Sequence, residues 1–163
     1  MSKQYYQVES YRAQGSIGYL VKRAHSLMMD VMEPLLAERG FSFIQYVILS
    51  WLRDGIAVNP KDICVQFRHD SGALTRVIDQ LAERGLLERV RCGRDRRTVE
   101  LQLTPAGRQA VEALIPLFVD KLNLALKDFS DVEVQEFIRL LLKLNATLQW
   151  IVEPASAAAG AEA

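Results

Sequence analysis

The sequence predicts a mostly helical fold that carries one small β-hairpin. Three observations predict it. Apolar residues recur at three- and four-residue spacing over most of the 163 residues. Between Leu86 and Leu103 that period shortens to two. Helix-start signals, a Ser, Asn or Thr just ahead of an apolar run, recur along the chain.

The elements follow in order. Ile17, Leu20, Val21, Ala24, Leu27, Met28, Val31, Met32 and Leu35 form one apolar stripe, so a long helix is expected from about Ser16 to Glu38, ended by Gly40. In "FSFIQYVILSWLRDG", Ser42 and Gln45 fit a capping box and Gly55 fits a stop, giving a helix from about Phe43 to Asp54. Asn59 can cap a short third helix, with Pro60 at its first position, where a missing N–H costs nothing. A fourth helix is expected from about Ser71 to Arg84, capped by Asp70 or Ser71 and stopped by Gly85, with Leu74, Val77, Ile78 and Leu81 facing inward.

"LLERVR" and "TVELQL" then read as the two strands, with "CGRDR" as the turn between them. Val99, Leu101 and Leu103 should face the core. Thr104-Pro105 opens a helix to about Phe129, and Ser130 with Glu133 opens a last one to about Val152. The tail from Glu153 is small and low in complexity, and is expected to be disordered. The C-terminal helices hold more leucine than an isolated helical hairpin can bury. The long first helix and a second subunit are the natural partners.

Four segments are therefore expected: 1–40, an N-terminal segment and dimerisation helix; 41–107, a lobe of three helices and the hairpin; 108–152, C-terminal dimerisation helices; and 153–163, the tail. The polar start "MSKQYYQVES" does not read as a secretory signal, and runs such as Ala113–Val119 are too short to span a bilayer. Two cysteines make no disulfide framework. The expectation is a cytoplasmic protein with no membrane partner. There is no nucleophile motif, glycine-rich phosphate loop or paired metal-ligand helix, so neither an enzyme, a cofactor nor a metal is expected.

Charge carries the functional signal. The chain has 20 basic and 20 acidic residues, yet five of the nine residues in 89–97, "RVRCGRDRR", are arginine. Setting those nine aside leaves 15 basic against 19 acidic. A neutral total does not argue against nucleic acid, because a locally basic face is what meets phosphate.

A short helix, a turn, a second helix and a hairpin together make a winged helix-turn-helix. A helix of about 14 residues, roughly 21 Å long, fits the major groove. Ser71, Gly72, Ala73, Thr75 and Arg76 lie in its N-terminal half, small or hydrogen-bonding, so the backbone can come close to DNA. Arg94, Asp95, Arg96 and Arg97 form the wing tip, suited to a narrow minor groove with its enhanced negative potential. Other roles compete: Thr75 can bond back to the preceding turn, and Asp79 and Gln80 either face solvent or pair with Arg76 and Arg84.

"DSGALTRVIDQLAERGLLERV" followed by "RDRRTVELQLTPAG" resembles the MarR family of bacterial transcription regulators. The wing pattern is carried by Asp95, Arg97, Val99, Leu101, Leu103, Thr104 and Gly107, and the helix pattern by "ALTR", Asp79, Leu81 and Gly85. "GYLVKRAH" at 18–25 is similar to the family's first helix, and the resemblance covers about Ile17 to Leu148. It implies a homodimer whose two winged modules read a palindromic double-stranded DNA operator, most simply as a repressor. It implies that Arg97 enters the minor groove, that Asp95 orients a wing arginine and that Arg76 contacts DNA. Arg94 and Arg96 are assigned to phosphate or groove, while Arg89 and Arg91 are expected to share one strand face nearer the DNA backbone.

The resemblance further implies a small, aromatic or anionic effector bound between the dimer helices and the DNA-binding lobe. Tyr19, Arg23, His25, Met28, Tyr46 and Trp51 are candidates by position, with Arg23 the best anion anchor. Core packing competes for Met28 and Trp51, and an ordinary helix histidine for His25. Two alternatives stand beside this reading. One is a thiol-sensing regulator acting through Cys92, whose arginine neighbours favour thiolate; Cys64 is expected to be buried and inert. The other is an interaction module of this fold without DNA binding, against which the arginine-rich wing argues.

Overall fold

The structure is a computed structural model, and it describes residues 4–67, 71–91 and 99–159. The described elements run α1 (Ile17–Ala37), α2 (Phe43–Asp54), α3 (Pro60–Phe67), α4 (Ser71–Glu83), β1 (Leu87–Arg91), β2 (Val99–Leu103), α5 (Pro105–Ala125) and α6 (Asp131–Ala159), after a 3₁₀ turn at Ala13–Gly15. This is the mostly helical fold with one hairpin that the sequence predicts. The chain divides into two compact units, 1–119 and 120–163, with the division inside α5.

The first unit holds the main core. Ile48 and Leu49 of α2, Ile63 of α3, Leu74, Ile78 and Leu81 of α4, Leu87 of β1, Leu101 of β2 and Val111 of α5 are buried in one cluster with Ala57 and Leu86. α4 enters this cluster through the inward residues Leu74, Ile78 and Leu81 that its spacing marked. Of the stripe on α1, Met32 is buried, as is Leu36 beside it, while Leu20, Leu27 and Val31 stay about half exposed.

Local chemistry sets the ends. The Ser16 hydroxyl accepts from the Tyr19 N–H (3.3 Å) to cap α1. Ser42 and Gln45 form the full capping box of α2, and Gly55 closes it in the left-handed region at φ 69°. At α3, Asn59 Oδ1 accepts from the Asp62 N–H (2.9 Å), and Asp62 Oδ2 accepts in return from Asn59 Nδ2 (2.8 Å).

The hairpin is antiparallel, with Leu87 opposite Leu103, Arg89 opposite Leu101 and Arg91 opposite Val99. Strand β2 is bonded on its other edge as well: the Leu101 N–H donates to the Val58 carbonyl (2.8 Å). One backbone bond thus ties the α2–α3 connection to the outer edge of the two-stranded hairpin, which the sequence did not indicate.

The second unit holds the end of α5 and all of α6. The expectation carried α5 to about Phe129. The helix stops at Ala125 instead, and a tight bond from the Phe129 N–H to the Leu126 carbonyl (2.9 Å) turns the chain toward its next cap. There the Glu133 N–H donates to Ser130 Oγ (3.4 Å), and Glu133 Oε2 accepts from the Ser130 N–H (2.8 Å). The exposed Glu133 carboxyl is held below its ordinary pKa by these backbone and hydroxyl bonds from Ser130. Helix α6 is described as far as Ala159, into the segment 153–163 that the sequence reads as a disordered tail.

Candidate nucleic-acid interface

Helix α4 is fixed by its inward face and leaves the opposite face open. Leu74, Ile78 and Leu81 are completely buried or nearly so, while Gly72, Ala73, Thr75 and Arg76 are exposed. Ser71 is the first residue of the helix. The structure thus brings four predicted contact residues together on one accessible surface of α4. No ion pair occupies Arg76 among the described residues.

The C-terminal end of α4 is tied to the start of α2. Arg84 Nη1 donates to the Gly40 carbonyl (3.0 Å) and to Gln45 Oε1 (3.3 Å), and its guanidinium lies 4.3 Å from the centre of the Phe41 ring. Gln45 Nε2 donates to Gln80 Oε1 (3.3 Å). Gly85, at φ 68°, then turns the chain into β1. Arg84 and Gln80 therefore both work across to α2, where the sequence had left them paired with each other or open to solvent.

Asp79 is settled differently from either sequence alternative. Its Oδ1 accepts from Arg89 Nη2 at 2.6 Å, joining α4 to β1. Arg89 sits opposite the buried Leu101, so it projects from the core-facing side of the hairpin and not toward a free outer face. The signal was present in the alternation of β1, which places Arg89 in phase with the buried Leu87.

The returning strand leads into α5 through a close contact. The Thr104 hydroxyl donates to the Gly85 carbonyl (2.7 Å) and accepts from the Gly107 N–H (3.0 Å). Gly107 lies against Leu86 so tightly that an added Cβ would fall inside the Leu86 carbonyl. This gives "LTPAG" a physical meaning: Thr104 caps α5 and locks the hairpin base, and Gly107 lets the two backbones meet. Arg94, Asp95, Arg96, Arg97 and Cys92 lie outside the described residues.

The effector candidates fall in several places. Tyr19 and Arg23, four residues apart, share one exposed face of α1; His25 and Met28 are also exposed but lie on the other side of that helix. The six do not converge within this chain, because 3.6 residues per turn separates the two pairs. Tyr46 stacks on Phe118, with ring centres 3.8 Å apart and planes 10° apart. Trp51 is half-buried against the core cluster, as is Cys64, which is less enclosed than expected. No group of three His, Cys, Asp or Glu is placed to hold a metal among the described residues. No helix among them is long and apolar enough to cross a membrane.

Comparison with known proteins bears on the whole arrangement. A family model described as MarR family matches residues 39–98, which span α2, α3, α4 and β1. The chain is 28% identical over 116 residues to the HTH-type transcriptional repressor YetL of Bacillus subtilis, covering 70% of each protein. It is also similar to the solved structure of Bordetella bronchiseptica BpsR, a protein whose DNA binding is regulated by 6-hydroxynicotinic acid. That match has 27% identity and a TM-score of 0.72 over 83% of this chain and 96% of that one. A structure of a mutant E. coli MarR complexed with operator DNA matches with 26% identity and a TM-score of 0.69, over 78% of this chain and 92% of that one. A core-anchored α4 with an open outer face, a hairpin locked at its base and these likenesses lead to one conclusion: the chain has a winged-helix fold and is similar to the MarR family of transcription regulators.

Proposed function

We propose that this regulator is a repressor that binds a palindromic operator as a homodimer and is released by a small aromatic or anionic effector. The observation that carries the DNA-binding part is the exposed face of α4, with Gly72, Ala73, Thr75 and Arg76 open above the buried Leu74, Ile78 and Leu81. Small side chains let the helix backbone approach base edges, and Ser71 at its start adds a hydrogen-bonding group by sequence. Arg94, Asp95, Arg96 and Arg97 supply the wing contact in this reading, on sequence grounds. The repressor assignment is supported by the likeness to YetL.

The homodimer is supported by apolar surface in both units. Leu20, Leu27 and Val31 on α1 are 52%, 53% and 48% exposed. Phe137, Leu142 and Trp150 on α6 are likewise open, more than a lone soluble chain would leave bare. Residues 1–40 and 108–152 are the proposed dimerisation segments, and 41–107 the proposed DNA-binding lobe. A chain acting on bacterial DNA works in the cytoplasm, at the nucleoid when bound.

The effector part is supported by the likeness to BpsR, whose DNA binding responds to a hydroxylated pyridine carboxylic acid. Tyr19 and Arg23, an aromatic ring and a cation on one face of α1, are the residues suited to such a ligand. Any ligand that releases DNA must bind the DNA-free dimer more tightly than the DNA-bound one.

The test is Arg97→Ala in a gel-shift assay on fragments selected from the host genome. Operator affinity should fall strongly, with dimer content and thermal midpoint unchanged; wild-type affinity in the variant would sink the wing assignment. Affinity of the native protein should also fall steeply with salt, as phosphate contacts release counterions. Titration with aromatic carboxylic acids, 6-hydroxynicotinic acid first, should weaken operator binding, and no change with any of them would remove the effector reading.

A further inference from the structure

The Asp79–Arg89 pair joins two elements, whereas Arg53–Asp54 and Glu136–Arg139 stay inside one helix. We propose that Arg89 is a positioning residue for DNA recognition: through Asp79 it sets the rotation of α4 about its axis relative to the hairpin. This rests on the reading that α4 meets DNA.

The geometry carries the argument from both sides. Asp79 lies three residues after Arg76 and four after Thr75, on the flank of the same turns that present those two side chains. Arg89 stands on a fixed base. Its strand partner Leu101 is buried, and the Leu101 N–H is bonded to Val58. Between these anchors runs one charge-assisted bond of 2.6 Å. Toward α2, Gln80 and Arg84 already tie α4 by directional bonds, and Leu74, Ile78 and Leu81 hold it by apolar contact. Among the ion pairs of the described residues, Asp79–Arg89 is the directional tie between α4 and the hairpin.

The exposure of the pair supports a geometric role over a stabilising one. The two side chains are 43% and 44% exposed, and ion pairs this open to water add little to folding stability. The same bond takes the Arg89 guanidinium away from phosphate. Of the basic residues in 89–97, this one works on the protein and not on the nucleic acid.

The experiment uses the full-length protein and four variants: Arg89→Gln, Asp79→Asn, the two combined, and the exchange Asp79→Arg with Arg89→Asp. Each is measured against a fragment selected from the host genome and against an unrelated duplex of equal length, over a range of salt. Either single variant should lose about tenfold in affinity for the selected fragment, the scale on which residues in direct contact couple. Affinity for the unrelated duplex and the salt slope should stay as in the native protein. The combined variant should be no worse than either single one, and the exchange should recover most of the loss.

Three results overturn the proposal. A slope reduced by about one, with both duplexes weakened equally by Arg89→Gln, makes Arg89 a phosphate contact. Single variants that bind as the native protein does make the pair idle. Thermal midpoints that fall in step with affinity in all four variants, the exchange included, make it merely structural. A native protein that selects no fragment overturns the DNA reading itself, a result distinct from all three.

Discussion

Gly107 and Leu86 occupy the same small space: the backbone of α5 passes so close to the Leu86 carbonyl that no side chain fits between them. Both groups are backbone, so neither can swing aside. Gly107→Ala should therefore push α5 off the hairpin base and cost at least the ~1–3 kcal/mol typical of overpacked sites. For a chain of this size each ~1 kcal/mol moves the thermal midpoint by ~2–4 °C. An alanine variant that melts with the native protein would mean that the two backbones can part freely.

Thr104 lies beside that contact and uses one oxygen twice, as donor to Gly85 and acceptor from Gly107. Thr104→Val keeps the shape and removes both bonds, and should destabilise by about 1–2 kcal/mol in chemical denaturation. Thr104→Ser should recover most of that loss. A loss in Thr104→Ser with none in Thr104→Val would show that the methyl group, and not the oxygen, matters.

The open face of α4 predicts a division of labour. Arg76→Ala should lower operator affinity by about 1–3 kcal/mol if it reads a base, and should relax specificity at that position. Stability should not change, because Arg76 is exposed and holds no ion pair among the described residues. Leu74→Ala should do the reverse in origin: its side chain is fully buried, and a loss of ~2–5 kcal/mol of stability should precede any effect on DNA.

The Ser130–Glu133 cap predicts a pH effect of definite sign. Bonds from Ser130 depress the folded-state pKa of Glu133, so its contribution is present above the ordinary carboxylate range. That contribution is lost as pH falls through that range to the depressed value. Glu133→Gln should melt below the native protein at neutral pH, and the gap should close in acid. A gap that does not narrow would separate the cap from its charge.

The proposed dimer is tested through α1. Leu27→Glu places a charge on a half-exposed apolar stripe. Sedimentation should then show monomers where the native chain shows dimers, while helix content is kept.

The elements with strong local signals were legible in the sequence. Ser42 with Gln45, Asn59 with Pro60, and Ser130 with Glu133 marked helix starts that the structure reproduces, because a cap is made by residues three apart in the chain. The α4 face was legible for the same reason, since burial of Leu74, Ile78 and Leu81 follows from their spacing. Partners distant in sequence were not. Arg84 finds Gly40 and Gln45, and Val58 finds Leu101, through tertiary packing that no local period encodes. Asp79, read as facing solvent or pairing with a neighbouring arginine of its own helix, accepts instead from Arg89 of β1. The effector residues were read by position along α1; their angle around the helix, which sets Tyr19 and Arg23 on one side and His25 and Met28 on the other, follows from the helical pitch.

The bond from the Leu101 N–H to Val58 has a dynamic consequence. It places β2 in the middle of three bonded segments, while β1 stands at an edge. Opening of the hairpin from its tip therefore releases β1 first and leaves the Leu101 amide shielded. In hydrogen–deuterium exchange that proton should outlast its neighbours on β1 and report the global unfolding of the lobe. The root of the hairpin, held from both edges at β2, is then the part of the lobe that stays folded longest.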